Sequence, residues 1–111
     1  MKLVKVGEGA TYDAPKHFNY WSIKKLQPET CTKNLTVGVS HFLPSGGAEM
    51  SASPLERVYF CIEGSVTVKG KTEEYKLETG DCIYIAPGEE RSFKVSNTKP
   101  ATLLVIMSKV A

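Results

Sequence analysis

Arg57, Tyr59 and Cys61 occupy alternate positions of one short run, so a β-strand there turns all three side chains to one face. The set joins a permanent cation, a phenol and a thiol. A guanidinium grips a carboxylate or phosphate with two parallel N–H groups, and a phenol beside it donates a hydrogen bond or a proton to whatever is held. The thiol is a nucleophile only where a cation lowers its pKa. Within an apolar run it packs as a small, inert hydrophobe, and that is the preferred assignment for Cys61. His41 lies in an alternating run, Leu35–Leu43, that groups it with Leu35, Val37, Val39 and Leu43. Such a face points inward, where an imidazole titrating near neutrality suits a proton shuttle; the plainer alternative is a satisfied core histidine. The other histidine, His17, sits in a weakly patterned stretch and is assigned no role.

The elements that must position these groups are strands. After Leu35–Leu43 come Val58–Ile62, closed by Glu63-Gly64, and Ser65–Lys69, closed by Gly70. Thr72–Leu77 returns after a short turn. Cys82–Ala86 stops at Pro87-Gly88, where a proline cannot donate to a ladder. Ser92–Ser96 and Ala101–Met107 complete the set. Lys16–Lys25 contains a further strand, and Gln27–Lys33 is a polar loop. No stretch of ten residues carries helical periodicity, and turn signals recur at the spacing of an all-β sandwich or barrel.

A chain of 111 residues is one domain and buries roughly two thirds of its unfolded surface, enough for a core without staples. The net charge is +2 and the lysines are scattered, so no patch argues for nucleic acid. Three cysteines without a close pair fit a reducing compartment. The N-terminus lacks the apolar stretch of a signal peptide, and no run is long enough to span a bilayer. A cytoplasmic protein with no membrane and no nucleic-acid partner is expected.

Two segments carry a family resemblance. Pro44–Gly64 contains Pro-Ser-Gly-Gly at one strand end and Glu63-Gly64 at another, and Thr79–Gly88 contains Gly80-Asp81 and Ile-Ala-Pro-Gly. Their order and separation resemble the two conserved motifs of the cupin superfamily, in its small single-domain form. The resemblance covers residues ~40–107. It implies an all-β, jelly-roll barrel whose open mouth holds the site, with residues 1–34 as N-terminal strands and loop packing on the barrel or a partner subunit, and 35–111 as the barrel. By the same analogy the chain is a homodimer whose N-terminal strands cover the partner's sheet, with Phe42 suited to that interface.

Members of that family usually hold a metal with two histidines, a glutamate or glutamine, and a third histidine. Counted along the motifs, those places fall on Ser51 and Ser53 (or Met50 and Ala52), Arg57 and Arg91. Two of them are cations that repel a divalent ion. No metal or other cofactor is expected; the remaining metal option is an unusual set such as His41 with Glu49. The motif positions turn Arg57 and Arg91 into the barrel as clamps for an anion, unless they pair with Glu49, Glu56, Glu89 or Glu90, or extend to the rim. Tyr84, alternating with Cys82, is expected at the same cavity. Glu49, near the mouth, is a candidate base or a surface acid.

The expected function is small-molecule work without metal. Arg57, Arg91 and Tyr84 bind a small anionic metabolite, a sugar acid or keto acid, and His41, Tyr59 and Glu49 move a proton in an isomerase- or lyase-type reaction. The alternative is a non-catalytic sensor cupin, which needs only apolar walls and one clamp.

Overall fold

The computed structural model describes residues 1–108, so the last three residues of the expected barrel segment 35–111 lie outside the described part. Nine strands form: β1 (Ala10–Tyr12), β2 (His17–Leu26), β3 (Leu35–Ser51), β4 (Glu56–Glu63), β5 (Ser65–Lys69), β6 (Glu74–Glu78), β7 (Cys82–Ile85), β8 (Arg91–Val95) and β9 (Ala101–Ser108). The described residues contain no helix. The strands pair in the order β6-β5-β8-β3-β9-β4-β7, with β2 against β3 and β1 against β2.

A single long strand turns this order into an all-β jelly roll. The first half of β3, Leu35–Phe42, pairs with β9, while Gly47–Ser51 pairs with β8. Between the halves Ser45 takes a left-handed backbone (φ 68°), held by its N–H on the Ser96 carbonyl (2.7 Å) and its hydroxyl on Asn97 Oδ1 (2.9 Å). Gly47 then passes so close to β8 that a methyl there would collide with the Phe93 carbonyl. β2 follows the same bend. Tyr20–Leu26 pairs with the first half of β3 and His17–Phe18 with Gly47–Ala48, across a bulge at Asn19 (φ 49°). There Asn19 alone lies opposite the four residues Leu43–Gly46 of β3, and this break in register re-aims the side chains beyond it.

The interior is packed by Phe42, Phe93, Leu103, Val66 and Val95 among others, with Phe93 edge-on to Tyr59 at 4.7 Å. Each large apolar side chain so buried contributes about 1.5–3 kcal/mol. The parity expected for β3 is reversed: Gly38, Ser40 and Phe42 face inward, and Val37, Val39, His41 and Leu43 do not. The cause is that this sheet is apolar on both sides. On the outside, Val39 lies between Ile23 and Leu104, and Leu104 is opposite Phe60. Alternation identifies two faces but not which one is covered. Phe42, expected at a subunit interface, is a core residue instead.

Candidate functional site

Inside the barrel opens a cavity of about 590 Å³. Its floor is apolar, built from Phe42, Leu103, Val105 and Met107. One wall is polar, and β4 and β8 supply it because Arg57, Tyr59, Arg91 and Phe93 all occupy inward positions of those strands. Arg57 is 2% exposed and Arg91 7%. Arg57 donates from Nη1 to the Tyr59 hydroxyl (3.3 Å) and from Nη2 to the Glu89 carbonyl (3.2 Å). Its Nε is buried with no partner. Arg91 donates from Nε to the same Tyr59 oxygen (3.3 Å) and from Nη1 to Ser51 Oγ (2.8 Å), and it lies over the Phe93 ring at 4.8 Å.

Among the described residues neither guanidinium has a carboxylate within ion-pair distance. Among the described residues the ion pairs are Lys69–Glu74 and Lys76–Glu78, so the internal pairing of Arg57 or Arg91 with a glutamate is not the arrangement found. Burial pulls Arg57 below its usual pKa, and the nearby Arg91 adds to that, while the Tyr59 oxygen opposes it. Two cations thus share one phenol oxygen. Both lone pairs of Tyr59 accept, and its own hydrogen has no acceptor among the described residues.

Sequence reasoning missed His17, which lines this cavity from the start of β2. Strict alternation places it with Trp21 on the outer face; the bulge at Asn19 reverses it. The available signal was Asn19 itself, a residue type that tolerates the left-handed conformation. His17 Nδ1 sits 2.8 Å from the Pro15 carbonyl, which can only accept, so Nδ1 carries the hydrogen and Nε2 the lone pair. The ring packs against Tyr20, Phe42 and Phe93. Burial lowers its pKa from 6.5; the Pro15 hydrogen bond opposes this, and Arg91 adds to the lowering.

The other expected site residues lie elsewhere. His41 is on the outer face, stacked on Trp21 at 4.9 Å and 3.3 Å from Thr102 Oγ1, because it takes the register position opposite Trp21. Glu49 is exposed, and only its backbone N–H is engaged, with the Lys16 carbonyl. Tyr84 is 55% exposed and donates to Glu56 (2.9 Å); its register position opposite Val58 puts it outside. It borders a separate cleft of about 490 Å³ between β6 and β7. Cys61 is fully buried, burial raises its pKa, and its thiol is directed at the Glu63 and Gly64 carbonyls, as an inert core thiol should be.

The metal that the resemblance implies does not fit these residues. Its positions hold Arg57, Arg91 and Ser51, and His41 and Glu49 do not reach the cavity. Among the described residues no group of three or more His, Cys, Asp or Glu converges.

Comparison with known proteins bears on this architecture. The family described as Cupin domain matches residues 38–107. The chain is 32% identical over 110 residues to the "Beta-D-galactosidase Rv1717" of Mycobacterium tuberculosis, covering 97% of this chain and 94% of that one. Among solved structures it is similar to the polyketide cyclase RemF of Streptomyces resistomycificus (TM-score 0.85, 17% identity, 97% of this chain and 79% of that one). It is also similar to an RmlC-like cupin of Shewanella frigidimarina (TM-score 0.78, 13% identity, 96% and 88%). At those identities the structures speak to fold alone. With the jelly roll, the two motifs and the family match in agreement, the chain belongs to the cupins.

Proposed function

We propose that the barrel mouth takes a small carboxylate-bearing metabolite, gripped by Arg57 and Arg91, and acts on it through side chains rather than a metal. The observation that carries this is a pair of buried guanidiniums that form no ion pair among the described residues, one of them with an N–H that has no acceptor there. Charged groups are almost never fully buried unless paired. The missing partner is an anion, and the apolar floor accommodates the rest of the molecule. Calorimetric titration with galacturonate, glucuronate and pyruvate tests it. Binding by the native protein and its loss in the Arg57→Met, Arg91→Met double variant is the expected result; an affinity indifferent to both substitutions overturns it.

A second function is favoured by the mycobacterial relative, whose name is that of a galactosidase. Glycoside hydrolysis ordinarily needs two carboxylates flanking the bond, and Glu90 is the one carboxylate residue lining this cavity. Release of nitrophenol from a nitrophenyl β-D-galactoside, abolished by Glu90→Gln, would establish that activity here. A sensor without catalysis would bind the acids and turn over none of them.

The same proposal includes a homodimer in the cytoplasm. Supporting the dimer is a two-row apolar stripe on the outer face, Ile23–Val39–Leu104–Phe60–Cys82 and Leu26–Val37–Ile106–Val58–Tyr84, five strands wide by register. Supporting the compartment are cysteines that are all free.

A further inference from the structure

We propose, building on the carboxylate-binding mouth, that His17 is the base of the site, and that Nε2 removes a proton from the carbon beside the carbonyl of a small 2-oxo acid. The unmatched groups of the cavity define that substrate. Among the described residues Tyr59 has an O–H without an acceptor and His17 an Nε2 lone pair without a donor, and Arg57 lines the same cavity as a cation without an ion-pair partner. A 2-oxo acid complements all three within a few bonds: carboxylate and carbonyl oxygens to accept, and a C–H to be taken. A plain carboxylic acid does not, because its neighbouring C–H is too weakly acidic; the adjoining carbonyl is what makes the carbanion accessible as an enolate.

The groups converge on one ring. Phe93 has the His17 ring at 6.4 Å, the Tyr59 ring at 4.7 Å and the Arg91 guanidinium at 4.8 Å from its centroid. The base and the oxygen donors therefore gather around Phe93 and line one cavity. His17 is also held in the correct tautomer, since the Pro15 carbonyl fixes the hydrogen on Nδ1. Burial and the Arg91 charge favour its neutral, basic form.

The step balances without a co-reactant. The C–H electron pair becomes the carbon–carbon π bond, and the carbonyl π pair moves onto oxygen. That oxygen accepts from Tyr59 and Arg57, as donors placed where charge develops in the transition state. The proton rests on Nε2 and returns either to carbon or to the enolate oxygen, so the net reaction is tautomerisation. Leu103, Val105 and Met107 line the space left for the substituent on the reacting carbon.

Deuterium incorporation at C3 of pyruvate and of phenylpyruvate in D₂O, followed by proton NMR, tests the inference, with binding measured on the same samples. The native protein is expected to accelerate exchange, and His17→Gln to slow it by about 10²-fold or more with binding retained. His17→Ala is expected to regain exchange when imidazole is added, which a merely misfolded variant cannot do. Binding of a probe without faster exchange, or exchange unchanged in His17→Gln, overturns the role of His17 and leaves the carboxylate site standing. If neither 2-oxo acid binds while galacturonate or glucuronate does, the substrate inferred here falls and the carboxylate site stands; if none of the four acids binds, both fall.

Discussion

Replacing Arg57 by methionine separates a binding residue from a structural one, because the two roles predict opposite signs. Arg57 is 2% exposed and has no ion-pair partner among the described residues. Taking such an ion out of water costs several kcal/mol, and apolar replacement even of paired buried charges often stabilises by about 1–4 kcal/mol. What methionine forfeits is small. The two hydrogen bonds are long, at 3.3 and 3.2 Å, and Tyr59 keeps its second donor, Arg91. A net gain of about 1–3 kcal/mol is expected for the ligand-free protein, or about 4–12 °C in melting temperature for a domain of this size. Affinity for a carboxylate should move the other way. Truncating one side of a buried charge pair costs about 2–5 kcal/mol, so binding weakens by about 30-fold or more. Differential scanning calorimetry without ligand and calorimetric titration with it read both quantities. A variant that melts below the native protein and binds the acid within about threefold of it would refute the assignment, and would make Arg57 a structural cation.

Other expectations follow from single contacts. His17 has a folded pKa below 6.5, so on acidification the unfolded chain takes up a proton that the folded one refuses. Its surroundings are Arg91 on β8, Arg57 and Tyr59 on β4, Tyr20 on its own strand, and Tyr12, Lys16 and Glu90 at the same cavity. The native protein should lose melting temperature from about pH 7 to pH 5 relative to His17→Gln, with the gap between them constant above pH 7; curves parallel throughout would contradict this. A thiol-reactive chromophore should count at most two cysteines in the native protein, Cys31 and Cys82, and a third, Cys61, only in denaturant. Phe60→Glu, within the outer stripe, should shift the mass measured by light scattering from dimer to monomer. A native protein that is monomeric at micromolar concentration would rule out the proposed dimer.

How much of this was legible in sequence differed between strands. The turn residues announced most strand ends, so Ser65–Lys69 coincides with β5 and the Pro87-Gly88 stop lies just beyond β7. The motif positions put Arg57 and Arg91 at the mouth. What alternation could not supply was an inside and an outside, because Val37, Val39 and Leu104 make the outer face of the large sheet as apolar as the inner one. His41 was accordingly placed on the wrong side, and Phe42 with it. His17 was hidden for a different reason. Its orientation depends on the left-handed backbone at Asn19, where the register of β2 against β3 shifts, and periodicity is blind to such a break in its own phase. Tyr84 and Glu49 failed on parity and exposure, neither of which a single strand reveals alone.

β4 alternates between two responsibilities along its length. Positions 57 and 59 meet whatever enters the barrel, while 58 and 60 meet whatever lies against its flank. Because neighbours in the chain never share a task, the cargo chemistry can be rewritten residue by residue without disturbing how the shell is assembled. A lineage that exchanged metal-binding side chains for arginines would have needed no change at the outward positions of the same strand.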